Sequence, residues 1–421
     1  MEEAPKKVNA TYMIEELHSS NIREAVPNNS EATESTISNI ITENAKYTSY
    51  VIKSPLFEGV IKRRYRDFYA FRTKLVQKYP GVYVANIPPK VYINNRSKQT
   101  IKLRLRILQN FCVEISKVPA LKESEEFTAF FSPWELEDLV GEKIKVLPDN
   151  LSYDTLLSYY QRHLDIKELE KDNNFVLTIT DIEKYLDQVN HLFELISNSK
   201  DKVKQIVESD LTQIKIESKI FQHMNTYEEQ VLFENINKDT SKLVFFNPQN
   251  STLHLKAVNY KNNTTPPNKI VLEFLEDKEL DLLAMKDMLN GYLKLINTYN
   301  EFTMERDKLS IKIDDARQGK RNLIEIITFQ EPSDIFNETT KRFNQVKEDI
   351  KSIAEILSLL SPNVKHVMDE YVDVIRRSFY EMLRSYIAEG ITLFKKKKDF
   401  WNEAKSIKTG EVNQKDNLSK D

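Results

Sequence analysis

The sequence predicts a small α+β module, with a three-stranded sheet and a few helices, followed by an elongated all-α body of three long helices in coiled-coil style. Three observations predict it. Only 7 glycines occur in 421 residues, and between 142 and 409 there are just Gly291, Gly319 and Gly390. Dinucleotide folds and phosphate loops need glycine at strained backbone positions, so an ordinary α/β enzyme is disfavoured over that stretch. Nine of the 14 prolines precede residue 149, which leaves long later stretches with nothing to stop a helix. From Ile182 onward apolar residues fall on a seven-residue register, the pattern of helices packed along each other.

In chain order, residues 1–36 are polar and rich in Asn, Ser, Thr and Glu, and read as a disordered tail. The segments 37–44 (ISNIITEN), 47–53 (YTSYVIK) and 59–65 (GVIKRRY) are β-branched and aromatic, and read as three short strands separated by polar or Pro/Gly-containing turns. Residues 67–79 read as a helix with Phe68, Phe71 and Leu75 on one face and Asp67 as N-cap. The run IPPK (87–90) is an extended proline turn. Residues 99–118 form a second helix with Ile101, Leu105, Leu108, Phe111 and Ile115 inward, and Ser124 to Phe131 a shorter third.

The charge of this module is unusual for the chain. From Lys46 to Arg106 there are 15 Lys or Arg against two acids, Glu58 and Asp67, a local balance of +13 in a chain of net charge −3. Such a concentrated field suits a polyanionic partner, and nucleic acid and phosphoinositide lipid are the two serious classes.

A strand ending in RRYRDF (63–68), an amphipathic helix, IPPK (87–90) and a basic helix carrying RLRILQNF (104–111) together resemble a PX (phox homology) domain, over residues 37–133. The resemblance implies binding of phosphatidylinositol 3-phosphate. It places Arg64 on the 3-phosphate, where the planar guanidinium fork suits bidentate bonding. Tyr65 would lie under the inositol ring, Lys90 would neutralise the 1-phosphate, and Arg104 would hold the 4- and 5-hydroxyls, with Arg106 as the neighbouring alternative. Arg63 and the loop residues Val91, Tyr92, Ile93, Arg96 and Lys98 would touch the bilayer. Each basic residue near an anionic leaflet adds about 1 kcal/mol, without headgroup specificity.

Residues 134–176 read as a linker. Within it, 151–167 suits an amphipathic helix with Leu151, Leu156, Leu157, Tyr160 and Leu164 on one side, which would lie on a membrane or pack on neighbouring helices. Residues 177–405 carry the helical body, in helices of about 177–245, 270–316 and 335–405; 406–421 is a second disordered tail. The first would reach about 100 Å if straight. The third has Phe343, Val346, Ile350, Ile353, Leu357, Leu360, Val364, Val367, Tyr371, Ile375, Phe379, Met382, Tyr386 and Phe394 inward, and Pro362 where it should bend the helix. Apolar stripes this long need another copy to cover them.

Three such helices behind a PX domain look like a BAR domain, and the whole chain is similar to a PX-BAR sorting nexin. The resemblance implies a homodimer, or a heterodimer with another sorting nexin, whose curved basic face senses or imposes curvature in endosomal sorting. A retromer-like cargo complex is an implied partner. Lys320 and Arg321 would be charges at the dimer tip, and the lysine run of FKKKKDFW (394–401) is either a membrane contact or a solvated face.

Other classes find little support. Six scattered histidines make no pair at metal spacing, and Cys112 sits near the apolar face of a helix, so neither a metal, a cofactor nor catalysis is expected. The basic module lacks zinc spacing and RNA-recognition aromatics, which argues against nucleic acid. A PX-containing tether without curvature activity stays open. One cysteine, no signal peptide in the first residues and no window of 18 apolar residues suggest a soluble cytoplasmic protein, peripheral on endosomal membranes.

Overall fold

The structure, a computed structural model, describes residues 13–17, 48–53, 60–90, 97–132, 144, 147–148, 150–164, 176–228, 230, 264–318 and 332–405. The chain divides into two compact units, residues 1–193 with 280–371 and residues 194–279 with 372–421.

The first unit opens with an antiparallel sheet in the order β1 (Met13–Leu17), β2 (Ser49–Lys53), β3 (Val60–Arg64). Met13 lies opposite Lys53, and Ser49 opposite Arg64. The last two strands fall where the sequence places them. The first does not: it comes from within the segment read as tail, and the strand expected at 37–44 lies outside the described residues. The local signal at 13–17 is weak because Glu15 and Glu16 interrupt the apolar pattern. Pairing with β2 supplies what local propensity lacks.

Helix α1 (Tyr65–Lys78) follows β3 directly. Arg64, not Asp67, is its N-cap; Asp67 stands one turn in, and its Oδ2 accepts the Arg64 N–H at 2.7 Å. Helix α2 (Lys98–Lys117) starts at Ser97, whose hydroxyl accepts from Thr100 N, and α3 (Pro119–Lys122) and α4 (Glu125–Phe131) follow. Ser124 caps α4 in the same way. Phe68, Phe71, Phe111, Phe127, Phe130 and Phe131 pack into a buried aromatic cluster, with Phe71 and Phe130 stacked at 4.3 Å. Of the expected inward positions on α2, Ile101, Leu108, Phe111 and Ile115 are buried and Leu105 half-buried. Beside this core, buried Lys78 and Glu126 pair at 2.7 Å, and the Tyr79 hydroxyl donates to Glu126 Oε2 at 3.1 Å.

Within the segment read as a linker, helix α5 (Tyr153–His163) forms and packs its apolar side against the protein. Leu156, Leu157 and Tyr160 are buried. The Tyr159 hydroxyl donates to Ala120 O at 2.7 Å, the Tyr160 hydroxyl to Pro80 O at 2.9 Å, and the Tyr153 ring meets Phe302 at 5.9 Å.

The long helices are α6 (Ile179–Tyr227), α7 (Asn268–Arg317) and α8 (Pro332–Lys405). In the first unit Ile182, Val189, Met285, Leu289, Tyr292, Ile353, Leu360 and Val364 form their shared core. Helix α8 runs on through Pro362. Next to it Ser361 Oγ donates to Leu357 O at 2.6 Å, accepts Leu177 N–H at 3.1 Å and lies 2.6 Å from the Tyr292 hydroxyl, tying the start of α6 to the middle of α7 and α8.

In the second unit Lys200 pairs with Glu279 at 2.5 Å, Lys397 with Glu217 at 3.0 Å, and Phe221 packs edge-on against Phe400 at 5.0 Å. Much of the apolar surface here is uncovered. Leu195, Ile206, Ile216, Ile220 and Met224 on α6, and Tyr380, Ile387, Ile391, Phe394 and Trp401 on α8, are all exposed. Phe379 and Phe394, expected inward, are 44% and 74% exposed. A heptad pattern identifies an apolar stripe without saying whether the same chain covers it. No helix among the described residues is long and apolar enough to cross a membrane.

Candidate functional site

Strand β3 alternates its faces, with Ile61 and Arg63 inward and Lys62 and Arg64 outward. This separates the two arginines of the RRY run. Arg63 is fully buried; its Nε donates to Phe130 O at 2.8 Å, Nη1 to Lys62 O at 2.8 Å and Nη2 to Ser132 O at 2.6 Å. It thus satisfies carbonyls at the C-terminal end of α4, where a cation is favoured by the helix dipole. The expectation that Arg63 touches the membrane is therefore wrong: it is a strut of the fold.

Arg64 ends β3 in extended conformation, with φ −89° and ψ 160°, and its side chain is half-buried. The Asp67 carboxylate fixes its backbone N–H. Burial pushes the Asp67 carboxyl above the usual carboxylate range, against the opposing effect of that hydrogen bond and of the Arg66, Arg63 and Arg64 guanidiniums. Tyr65, the first residue of α1, donates its hydroxyl to the Pro88 carbonyl in the proline turn. On its ring sits Arg104, with Cζ 4.2 Å from the centroid. Arg104 is only 7% exposed, so its charge is held largely out of water beside an aromatic face. Arg106, two residues on, falls on a different side of α2. Lys90 is exposed and its Nζ stands 3.7 Å over the ring of Tyr69, one turn after Tyr65 on the same face of α1.

Three stretches far apart in sequence, 64–69, 88–90 and Arg104, therefore meet at the start of α1. Cationic groups there bracket two tyrosine rings. The chemistry suits an anion carried on a ring: guanidiniums make bidentate bonds to phosphate oxygens, an ammonium acts as a point charge, and an aromatic face accepts C–H edges. Tyr69 was missed at the sequence level, although its spacing of four from Tyr65 marks it on a helix. Val91, Tyr92, Ile93, Arg96, Lys320 and Arg321 lie outside the described residues; Lys98 is the first residue of α2. Among the described residues no group of His, Cys, Asp or Glu could hold a metal ion. Cys112 is buried, and burial pushes its thiol up, which leaves it poorly suited as a nucleophile.

Comparison with known proteins adds an independent line. A PX domain family model matches residues 53–133. Sorting nexin-8 of Homo sapiens is 30% identical over 106 residues, and sorting nexin-8 of Bos taurus 28% over the same length; both alignments cover 25% of this chain and 23% of the relative. The chain thus matches under a quarter of the length of those relatives. Sorting nexin-3 of Aspergillus oryzae is 33% identical over 97 residues, covering 21% of this chain and 68% of the relative. Among solved structures, the cryo-EM structure of the SNX-BAR Mvp1 tetramer is 14% identical, with a TM-score of 0.46, and the match covers 91% of this chain and 99% of that one. With a PX domain at residues 53–133 and a sorting nexin-3 relative 33% identical over 68% of its length, the chain belongs to the sorting nexin family.

Proposed function

We propose that this protein binds phosphatidylinositol 3-phosphate through the site around Tyr65 and dimerises through its helical body, and so acts at endosomal membranes, where it senses or induces curvature during sorting. Arg64 takes the 3-phosphate, Lys90 the 1-phosphate and Arg104 the ring hydroxyls, with Tyr65 beneath the ring. The observation that carries this reading is the stack of Arg104 on Tyr65, 4.2 Å apart, with the tyrosine hydroxyl bonded to Pro88. A desolvated guanidinium fixed on an aromatic face is pre-organised for a specific anion; a general basic surface needs no such arrangement.

Dimerisation is supported by the uncovered apolar faces of the second unit, where at least ten large side chains on α6 and α8 are exposed. Monomeric proteins seldom leave so much apolar surface in water. The occupant is a second copy or another sorting nexin, and a retromer-like cargo complex is the next partner outward. Peripheral association from the cytoplasmic side is consistent with the absence of a membrane-crossing helix among the described residues. A PX-containing tether that leaves membranes flat is the second reading.

The test is flotation with vesicles carrying phosphatidylinositol 3-phosphate and with vesicles of equal negative charge in phosphatidylserine. The wild type is expected to float with the first set preferentially. Arg64→Ala should lose that preference, by roughly ten-fold or more as expected for removal of a charged hydrogen-bonding partner, while still dimerising. Equal capture by both vesicle sets would refute the headgroup reading. Electron microscopy of the same vesicles, tubulated or spherical, decides between curvature and tethering.

A further inference from the structure

The residues from Gly81 to Lys90 form no helix or strand, yet they carry Pro88 and Lys90 to the site. Most of this segment is buried, with Val82, Val84, Ala85 and Ile87 all below 10% exposure. Irregular backbone packed this deeply is held by groups outside it, and several of those groups belong to the long helices. Arg72 on α1 donates from Nε to the Ala85 carbonyl at 3.0 Å and from Nη2 to Asp287 Oδ2 on α7 at 2.6 Å. Arg72 is 14% exposed and Asp287 39%, so the pair is partly shielded from water.

The start of the segment is pinned between α8 and α7. Gly81 has φ +83°, and a Cβ there would lie 2.8 Å from Leu360 Cδ1 on α8. A Cβ at Gly291 on α7 would lie 2.7 Å from Gly81 N and 3.1 Å from Pro80 Cα. Backbone rests on backbone at that point, with no side chain to give way. From there the path is continuous: Gly291 against Gly81, Asp287 through Arg72 to Ala85, Pro88 to the Tyr65 hydroxyl, and Tyr65 under Arg104.

We propose that α7 is a positioning element of the headgroup site: Asp287 and Gly291 set the course of residues 81–90, and headgroup affinity depends on both although neither touches the headgroup. This rests on the phosphoinositide reading above. By reciprocity, headgroup binding that tightens the segment also tightens its seat on α7.

The experiment is titration calorimetry of the full-length chain with soluble inositol 1,3-bisphosphate, well below the unfolding temperature. The variants are Asp287→Ala, Asp287→Glu, Gly291→Ala and, as a control on the exposed side of the same helix, Lys294→Ala. Asp287→Ala and Gly291→Ala should each weaken binding roughly five- to ten-fold through lost pre-organisation. Asp287→Glu should recover part of the loss, and Lys294→Ala should bind as wild type. Gly291→Ala removes no charge, so it keeps the test standing should Asp287→Ala fail to fold. If the wild type binds and both Asp287→Ala and Gly291→Ala bind within about two-fold of it, the positioning role is overturned and the site reading stands. If the wild type itself does not bind, the site reading falls and the positioning role with it.

Discussion

Tyr65 is bracketed by two contacts that give its ring one orientation: the Pro88 carbonyl on its hydroxyl and the Arg104 guanidinium on its face. A lysine at 104 would keep the charge but lose the planar group that stacks and forks at once. Arg104→Lys is therefore expected to weaken binding of soluble inositol 1,3-bisphosphate by roughly ten-fold or more. Arg106→Lys should stay within about two-fold, since position 106 lies on another side of the helix. Calorimetry on the two variants checks this, and the reverse order would exchange the roles of the two arginines. The RRYRDF run advertises Arg64 and Tyr65 openly, because aromatic and cationic residues crowd a strand-to-helix corner. Arg63 was harder to read, since a buried arginine looks like any other in a basic run. Only the inward parity it shares with Ile61 marks it, and that signal depends on placing β3 correctly to the residue. Arg72 offered no local sign at all, as its acidic partner lies 215 positions away.

The elements differ in how plainly they show in the sequence. Helices α7 and α8, expected at 270–316 and 335–405, run from Asn268 to Arg317 and from Pro332 to Lys405, because apolar periodicity and sparse glycine act over dozens of residues. Strand β1 has only five residues and depends on its partner, so local pattern did not reveal it. Helix α5 was legible as amphipathic, but amphipathicity alone suits a bilayer and a protein core equally. Its surroundings favour packing: Tyr159 and Tyr160 donate to Ala120 and Pro80, and Leu156, Leu157 and Tyr160 on the apolar side are buried. Leu156, 3% exposed, then reports on folding and not on membrane affinity. Leu156→Ala should cost about 2–5 kcal/mol of stability, seen as a lower thermal midpoint. Capture by vesicles bearing phosphatidylinositol 3-phosphate should be retained at a temperature where the variant is folded. A variant with an unchanged midpoint and poorer vesicle capture would return α5 to the membrane surface.

For the whole molecule, the distribution of uncovered apolar residues is the informative feature. The first unit buries most of its large side chains, through the aromatic cluster and the Tyr292–Ser361 hub, and leaves Met304 and Ile311 among its few exposed ones. The second leaves Tyr380, Ile387, Phe394 and Trp401 exposed at intervals of seven along α8. Of these four, the sequence places only Phe394 inward, and a heptad stripe records only that something covers it; the covering chain is written nowhere in its period. A stable dimer needs roughly 1,200–2,000 Å² of buried surface, and three aromatic residues and an isoleucine spread over about six turns of helix are suited to supply its apolar core. Placing charge there should be decisive, because an aspartate buried without a partner costs several kcal/mol. The double variant Ile387→Asp with Phe394→Asp is expected to sediment as a monomer at concentrations where the wild type is a dimer. Affinity for soluble inositol 1,3-bisphosphate should be unchanged, since Arg64, Tyr65, Lys90 and Arg104 all lie in the other unit. Vesicle affinity should nevertheless fall, by about 10²-fold, because two headgroup sites no longer act together. A charged variant that still sediments as a dimer would place the self-association surface elsewhere on the long helices. A monomer that keeps full vesicle affinity would mean that one site, with its surrounding basic field, holds the membrane alone.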